Sequence, residues 1–173
     1  MLTGCVAWPD EYARRYRERG YWEGVSICDA LARSIALRPD KMALVHGAER
    51  ITYAELGERI ERLAAQFVRC GLKPQDRVVL QLHNVPEFAY AFFGLIRAGC
   101  IPVMALRAHR QTEVRHFITA AGAAGYVIPD ALRGFDYRTM AEEMRADGTV
   151  RRIFEKYFPP SLAASMVDFK AEP

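Results

Sequence analysis

The apolar residues of this chain recur with two different periods, and these periods mark its expected helices and strands. In the stretch 54–71 they recur every three or four positions, which predicts an amphipathic helix. Thr52 and Glu55 form a capping box at its start, and Gly71 supplies a stop at its end. A second window, 26–37, has the same period and predicts another helix.

Short, continuous apolar runs follow from residue 77 onward. The runs 77–82, 101–106 and 125–130 show little alternation, which is typical of strands buried on both faces. Segments with helical periodicity separate them, so the order strand, helix, strand, helix, strand predicts a parallel sheet. The sequence therefore predicts an α/β fold, a doubly wound parallel sheet with flanking helices. The remaining expected elements are a polar helix at 10–19, a hairpin around 47–49, and a helix that ends at Gly99. Two further helices are expected at 112–121 and 137–146, and the second leads to the segment 150–154.

Capping residues predict where three of these helices begin. Ser26 is the expected N-cap of the early helix. Asn84 and Glu87 form a capping-box pattern around Pro86, a residue that a first helical turn tolerates. Asp136 is expected to cap a later helix in the same way.

Composition narrows the class of protein. The chain has 173 residues, of which 51% are hydrophobic and 26% charged, as expected of one soluble globular domain. The formal net charge is only +3, and the basic residues outside the run 14–19 are scattered along the chain, so nucleic acid is not an expected partner. The apolar window 88–96 is too short to span a membrane. The stretch 2–5 matches a lipoprotein box but lacks the basic and apolar segments that must precede one, so a cytoplasmic protein is expected.

Few residues suggest chemistry. The four cysteines are far apart and form no Cys-x-x-Cys pair, which predicts free thiols and no metal site. The turns expected after the three strands, 83–87, 107–113 and 129–134, contain no glycine-rich phosphate loop. His83 and Asn84 follow the first strand, where capping by Asn84 beside an exposed His83 is the favoured interpretation.

His109 and Arg110 are the remaining candidate site residues, at the carboxyl end of the second strand. In one interpretation their imidazole and guanidinium groups converge on a carboxylate or phosphate. In the other they are polar residues that enter a loop, with Arg110 pairing with Glu113 or orienting the next helix. The second interpretation is favoured, and replacing His109 with alanine is then expected to change stability by about 0.5 kcal/mol or less.

Several segments also carry a resemblance to a known family. The opening, 1–24, resembles that of bacterial aryl-acid adenylating enzymes, the 2,3-dihydroxybenzoate–AMP and salicylate–AMP ligases of siderophore assembly. The segments 51–67 and 95–106 are similar to the first two core motifs of the adenylate-forming (AMP-binding) superfamily, and 127–141 resembles the aryl-acid branch. One departure is Arg107, where that branch usually has proline.

The resemblance implies that 1–154 is the N-terminal part of an AMP-dependent synthetase/ligase domain, and that 155–173 is a divergent, loose tail. It also implies that the family's phosphate loop, aryl-acid pocket and catalytic lysine lie beyond this region. We therefore expect no catalytic, cofactor-binding or metal residue in this chain, since ATP and magnesium belong to the full-length family.

The resemblance further implies an incomplete adenylate-forming fold that is inactive unless a second polypeptide completes it. The expected partners are a complementing ligase polypeptide or a second copy of the chain, and an aryl carrier protein in the parent family. The alternative is a non-catalytic binding module or the product of a decaying gene. The aryl acid itself is not predicted, because the acid pocket is missing.

Overall fold

In the described part of the chain, three helices and a hairpin precede the main sheet. The computed structural model describes residues 6–129, 131–132, 134–150 and 153–156. The first elements are α1 (Asp10–Glu18), α2 (Ile27–Leu37), β1 (Met42–His46), β2 (Glu49–Thr52) and α3 (Tyr53–Arg69). Strands β1 and β2 pair antiparallel, which confirms the predicted hairpin.

The helix caps of α2 and α3 form as their local sequence predicts. The Ser26 hydroxyl accepts from the backbone N–H of Asp29, whose carboxylate accepts from the N–H of Ser26. Thr52 and Glu55 make the same reciprocal pair at the start of α3. These bonds satisfy backbone donors that a helix start otherwise leaves unpaired.

The main sheet is parallel, and its strand order is β4–β3–β5–β8. Its elements are β3 (Arg77–Leu80), α4 (Pro86–Arg97), β4 (Ile101–Met104), α5 (Gln111–Ala121), β5 (Gly125–Pro129), α6 (Tyr137–Ala146) and β8 (Ile153–Lys156). Two short strands, β6 (Ala131–Leu132) and β7 (Phe135–Asp136), form a small hairpin between β5 and α6. This hairpin was not predicted from the sequence; its Gly134 has a φ of 77°, in the left-handed region that glycine adopts readily.

Helices cover both faces of the sheet. Val78 and Leu80 of β3 pack in one apolar cluster with α3 and α4, while Val79 packs in a second cluster with α5 and α6. All three side chains are fully buried, as expected when the side chains of a central strand alternate between two covered faces. The predicted doubly wound parallel sheet is therefore confirmed.

Strand β4 differs from its prediction. The run 101–106 was expected to be buried on both faces, but β4 lies at a sheet edge and the Met104 side chain is 63% exposed. Within the described ranges its hydrogen-bonded neighbour in the sheet is β3 alone. A continuous apolar run shows that the residues of a strand are apolar, but it does not show where the strand lies in the sheet. That position depends on which strands become its neighbours.

The start of α4 also differs from its prediction. The N-cap is Val85, which makes no side-chain cap bond, so the predicted Asn84–Glu87 capping box is wrong. The backbone N–H of Val85 donates to the carbonyl of His83 at 2.9 Å, and this tight turn places Pro86 at the first helical position. Proline needs no N–H there, so the helix starts without a polar cap. The predicted Asp136 cap of α6 is confirmed, since its carboxylate accepts from the backbone N–H of Thr139.

The boundary predicted at residue 154 falls inside an element. Strand β8 continues to Lys156 and pairs with β5, so Glu155 and Lys156 belong to the sheet. The rest of the predicted tail, 157–173, lies outside the described residues, as do Asp130 and the stretch 2–5. None of the helices in the described part of the chain is long and apolar enough to cross a membrane.

Candidate functional site

The candidate site lies where two neighbouring strands send their chains to opposite faces of the sheet. Strand β3 continues into α4 on one face, and the adjacent strand β5 leads to α6 on the other. In doubly wound sheets this divergence opens a crevice at the carboxyl ends of the strands, where ligands bind. At this end of the sheet the residue after β3 is hydrogen-bonded to the loop that follows β4.

Gln81 directly follows β3 at this end of the sheet. It is fully buried, and among the described residues it is the one polar side chain in the buried class. Its Nε2 donates to the carbonyl oxygens of Leu106 at 2.7 Å and His109 at 3.0 Å. Its Oε1 accepts from the hydroxyl of Tyr126 on β5. Both amide hydrogens are thus used, and a buried polar group that is satisfied in this way has a fixed orientation.

Tyr126 stays neutral and keeps donating to Gln81. Its side chain is completely buried, and this burial raises the pKa of its hydroxyl well above the ordinary value. The hydrogen bond to Gln81 is therefore present across the physiological pH range.

His109 closes the turn between β4 and α5. Its backbone N–H donates to the carbonyl of Leu106 at 3.0 Å, and its Nδ1 accepts from the N–H of Leu106, also at 3.0 Å. A neutral imidazole that accepts at Nδ1 carries its proton on Nε2. The half-buried ring packs edge-on against Phe117 of α5, with centroids 5.0 Å apart. The Nδ1 atom is therefore occupied by the turn itself.

The side chain of Arg110 also donates hydrogen bonds to this turn. Its Nη1 donates to the carbonyls of Arg107 at 2.7 Å and His109 at 3.0 Å. Its guanidinium lies 4.0 Å above the ring centroid of Phe135 on β7, a cation–π contact. The carbonyl of Arg107 also accepts from the Tyr137 hydroxyl at 2.7 Å.

Glu113 takes part through the backbone, and not through an ion pair with the Arg110 side chain. Its carboxylate accepts from the N–H of Arg110 at 2.9 Å, at the start of α5. This bond lowers the pKa of the Glu113 carboxyl below its ordinary value. The carboxylate thereby satisfies a donor that the helix start leaves unpaired.

The two predicted site residues do not converge in this structure. The His109 ring faces Phe117 on α5, whereas the Arg110 guanidinium lies on Phe135 in the small hairpin. The His109 Nδ1 and the Arg110 Nη1 both bind the loop's own backbone. Of the other pair, His83 is half-buried and Asn84 is exposed.

Sequence reasoning missed Gln81, Tyr126 and Tyr137, which make the longest-range bonds of the site. A signal for Gln81 was present, since it is an amide inside the otherwise apolar run 77–82. A polar side chain in a buried strand needs a partner, but the sequence does not say which one.

The polar groups of Gln81 and Arg110 do not fit the ATP and magnesium that the resemblance implies for the full-length family. The Gln81 amide and the Arg110 Nη1 donate to loop carbonyls, so neither is directed at a phosphate. Within the described ranges no group of three or more His, Cys, Asp or Glu side chains is placed to hold a metal ion.

Replacing His109 with alanine should lower the free energy of unfolding by about 1 kcal/mol, the usual net contribution of one hydrogen bond. The smaller effect expected from the sequence assumed an exposed ring, and the ring is half-buried and bonded. Urea unfolding of the two proteins measures the difference. His109→Asn, which keeps a side-chain acceptor, is the matched control and should recover part of the loss; a loss of several kcal/mol for alanine would contradict the role of His109 as a turn residue.

The comparison with known families identifies the lineage of this fold. The family model described as "AMP-binding enzyme" matches residues 31–170. The chain belongs to the AMP-binding enzyme family. In this AMP-binding family chain the residues of the candidate site all lie inside the matched region, whereas α1 precedes that region.

Two relatives and one solved structure place the chain within the family. It is 40% identical over 179 residues to the 2,3-dihydroxybenzoate-AMP ligase of Bacillus subtilis, covering 100% of this chain and 32% of the relative. It is 43% identical over 158 residues to the salicyl-AMP ligase / salicyl-S-ArCP synthetase of Mycobacterium tuberculosis, covering 88% of this chain and 28% of the relative. The apo structure of Mycobacterium smegmatis MbtA matches with a TM-score of 0.81 and 38% identity, over 89% of this chain and 28% of that chain.

These matches confirm the resemblance to aryl-acid AMP ligases and to the N-terminal part of their fold. They also show that this AMP-binding family chain spans about a third or less of the length of its relatives.

Proposed function

We propose that this chain is the N-terminal scaffold of an aryl-acid–AMP ligase. The complete ligase would join an aryl acid, 2,3-dihydroxybenzoate or salicylate, to ATP, releasing pyrophosphate, and then transfer the aryl group to a carrier-protein thiol. The observation that carries the proposal is the identity of 40–43% with two such ligases over 88–100% of this chain.

The chain's contribution would be structural. Attack of a carboxylate on the α-phosphate of ATP requires positive charge and hydrogen-bond donors around the phosphates. The donors at the described crevice bind loop carbonyls instead. We therefore assign the ATP, magnesium and acid sites to the rest of the ligase, which would fold against this sheet.

The partners follow from that assignment. A polypeptide that carries the rest of the ligase fold would complete the chain, and an aryl carrier protein would receive the product. We place the ligase in the cytoplasm, because Cys28 and Cys100 are free thiols in the described part of the chain, as is usual in a reducing compartment.

A fusion protein tests the proposal. In it the whole 173-residue chain replaces the aligned N-terminal third of the Bacillus subtilis ligase. We expect this fusion to catalyse ATP–pyrophosphate exchange that depends on 2,3-dihydroxybenzoate or salicylate, while the remaining two thirds of the relative alone shows none. A folded fusion that is inactive with both acids would contradict the proposal and favour a non-catalytic binding module.

A further inference from the structure

The buried amide of Gln81 needs hydrogen-bond partners, because an amide buried without them is costly and each bond it makes adds only a small net stabilisation. An apolar side chain of the same size would fill the space about as well. An apolar side chain would not, however, fix the backbone of another element.

The two carbonyl groups that accept hydrogen bonds from Gln81 lie at the two ends of one turn. Leu106 and His109 are also joined to each other by the turn's own bond, from the His109 N–H to the Leu106 carbonyl. By donating to both carbonyls, Gln81 ties this turn to the end of β3. The middle of the turn is held separately, through the Arg107 carbonyl.

We propose that Gln81 is a positioning residue of the ligase, which holds the turn 106–109 at the mouth of the crevice between β3 and β5. This proposal rests on the proposed function, because the crevice is a ligand site only in the complete enzyme. Gln81 acts through the turn and does not itself touch a substrate. Its loss should loosen the turn more than it weakens the fold.

The first test uses the 173-residue chain and does not depend on activity. Gln81→Met keeps the length of the side chain and removes both donors. Amide exchange in 105–110 should then rise about tenfold or more, while exchange in α3 and α4 stays close to that of the parent chain. Gln66→Met, the same change on a half-buried position of α3, is the matched control and should leave the turn's exchange unchanged.

A second variant covers the case in which Gln81→Met does not fold. Tyr126→Phe removes only the hydroxyl that orients the Gln81 amide. It should speed exchange in 105–110 by a smaller factor, about threefold. Unchanged exchange in the turn for both folded variants would overturn the proposal.

The second test uses the active fusion. A merely structural role would reduce the amount of folded enzyme and so lower kcat, leaving the KM values unchanged. A positioning role predicts that Gln81→Met raises KM for the aryl acid or ATP by about threefold or more, and that Gln66→Met does not. Unchanged KM values in Gln81→Met would overturn the positioning role. A parent fusion with no activity would instead contradict the proposed function, while the exchange test on the turn still decides the role of Gln81 there.

Discussion

Replacing Gln81 with glutamate should lower the free energy of unfolding by about 3–5 kcal/mol at pH 7. The change keeps the shape of the side chain and replaces its two-donor NH₂ group with an oxygen. That oxygen would face the carbonyls of Leu106 and His109, which accept from the amide at 2.7 and 3.0 Å in the parent protein. The carboxylate would also lose nearly all contact with water, because the position is fully buried.

The loss should depend on pH in a defined direction. Burial and the facing carbonyls raise the pKa of the introduced carboxyl in the folded state above the ordinary value of about 4.3. The penalty is therefore greatest above the folded-state pKa and shrinks as the pH falls through it towards about 4.3. It should not vanish, because a protonated carboxyl offers one donor where the amide offers two.

Urea unfolding at pH 7 and about pH 5 measures both effects. Gln75→Glu is the matched control, because that side chain is exposed, keeps a carboxylate in water and should show a much smaller loss. A Gln81→Glu variant as stable as the parent at pH 7, or a loss that grows as the pH falls, would contradict the role assigned to Gln81.

The 173-residue chain should self-associate or be marginally stable when it is expressed alone, and its β4 edge is the expected contact. Met104 and Leu106 are 63% and 68% exposed at or just after this strand, which pairs with β3 alone in the described part of the sheet. Each apolar side chain left in water forgoes about 1.5–3 kcal/mol of burial, against a total stability of about 5–15 kcal/mol for a domain. An unpaired strand edge also templates further strands.

A single charge at this edge should shift the association. Met104→Lys should move the sedimentation profile towards monomer, because a lysine on an edge strand opposes edge-to-edge pairing. Val68→Lys introduces the same charge at an exposed position of α3 that is 55% accessible, and should leave the profile unchanged. A parent chain that is already a monodisperse monomer with a high, cooperative melt would contradict this prediction.

Local chemistry explains which features of the fold the sequence predicts. The caps at Ser26, Thr52 and Asp136 depend on residues three positions apart, so their patterns suffice. The cap at Asn84 failed because the tight turn before Pro86 shifts the helix start. The exposure of β4 depends on which strands become its neighbours in the sheet, and an apolar run does not predict those neighbours.

The candidate site shows the same limit more strongly. His109 and Arg110 were found because they are polar residues at an expected strand end, but their chemistry is set by distant partners. Gln81 reaches the turn across 25 and 28 positions, and Tyr137 reaches Arg107 across 30. Periodicity predicts that these elements meet at the carboxyl end of the sheet. Only the assembled structure shows that their polar groups bind one another.

The most direct test of the scaffold role is ATP–pyrophosphate exchange by the purified 173-residue chain, measured with 2,3-dihydroxybenzoate and with salicylate. In this role the chain supplies the sheet, and the phosphate loop, acid pocket and catalytic lysine belong to the rest of the ligase. The expected exchange is therefore no higher than that of a protein-free blank with either acid. Acid-dependent exchange clearly above the blank would contradict the scaffold role, because the chain would then hold a complete adenylation site of its own.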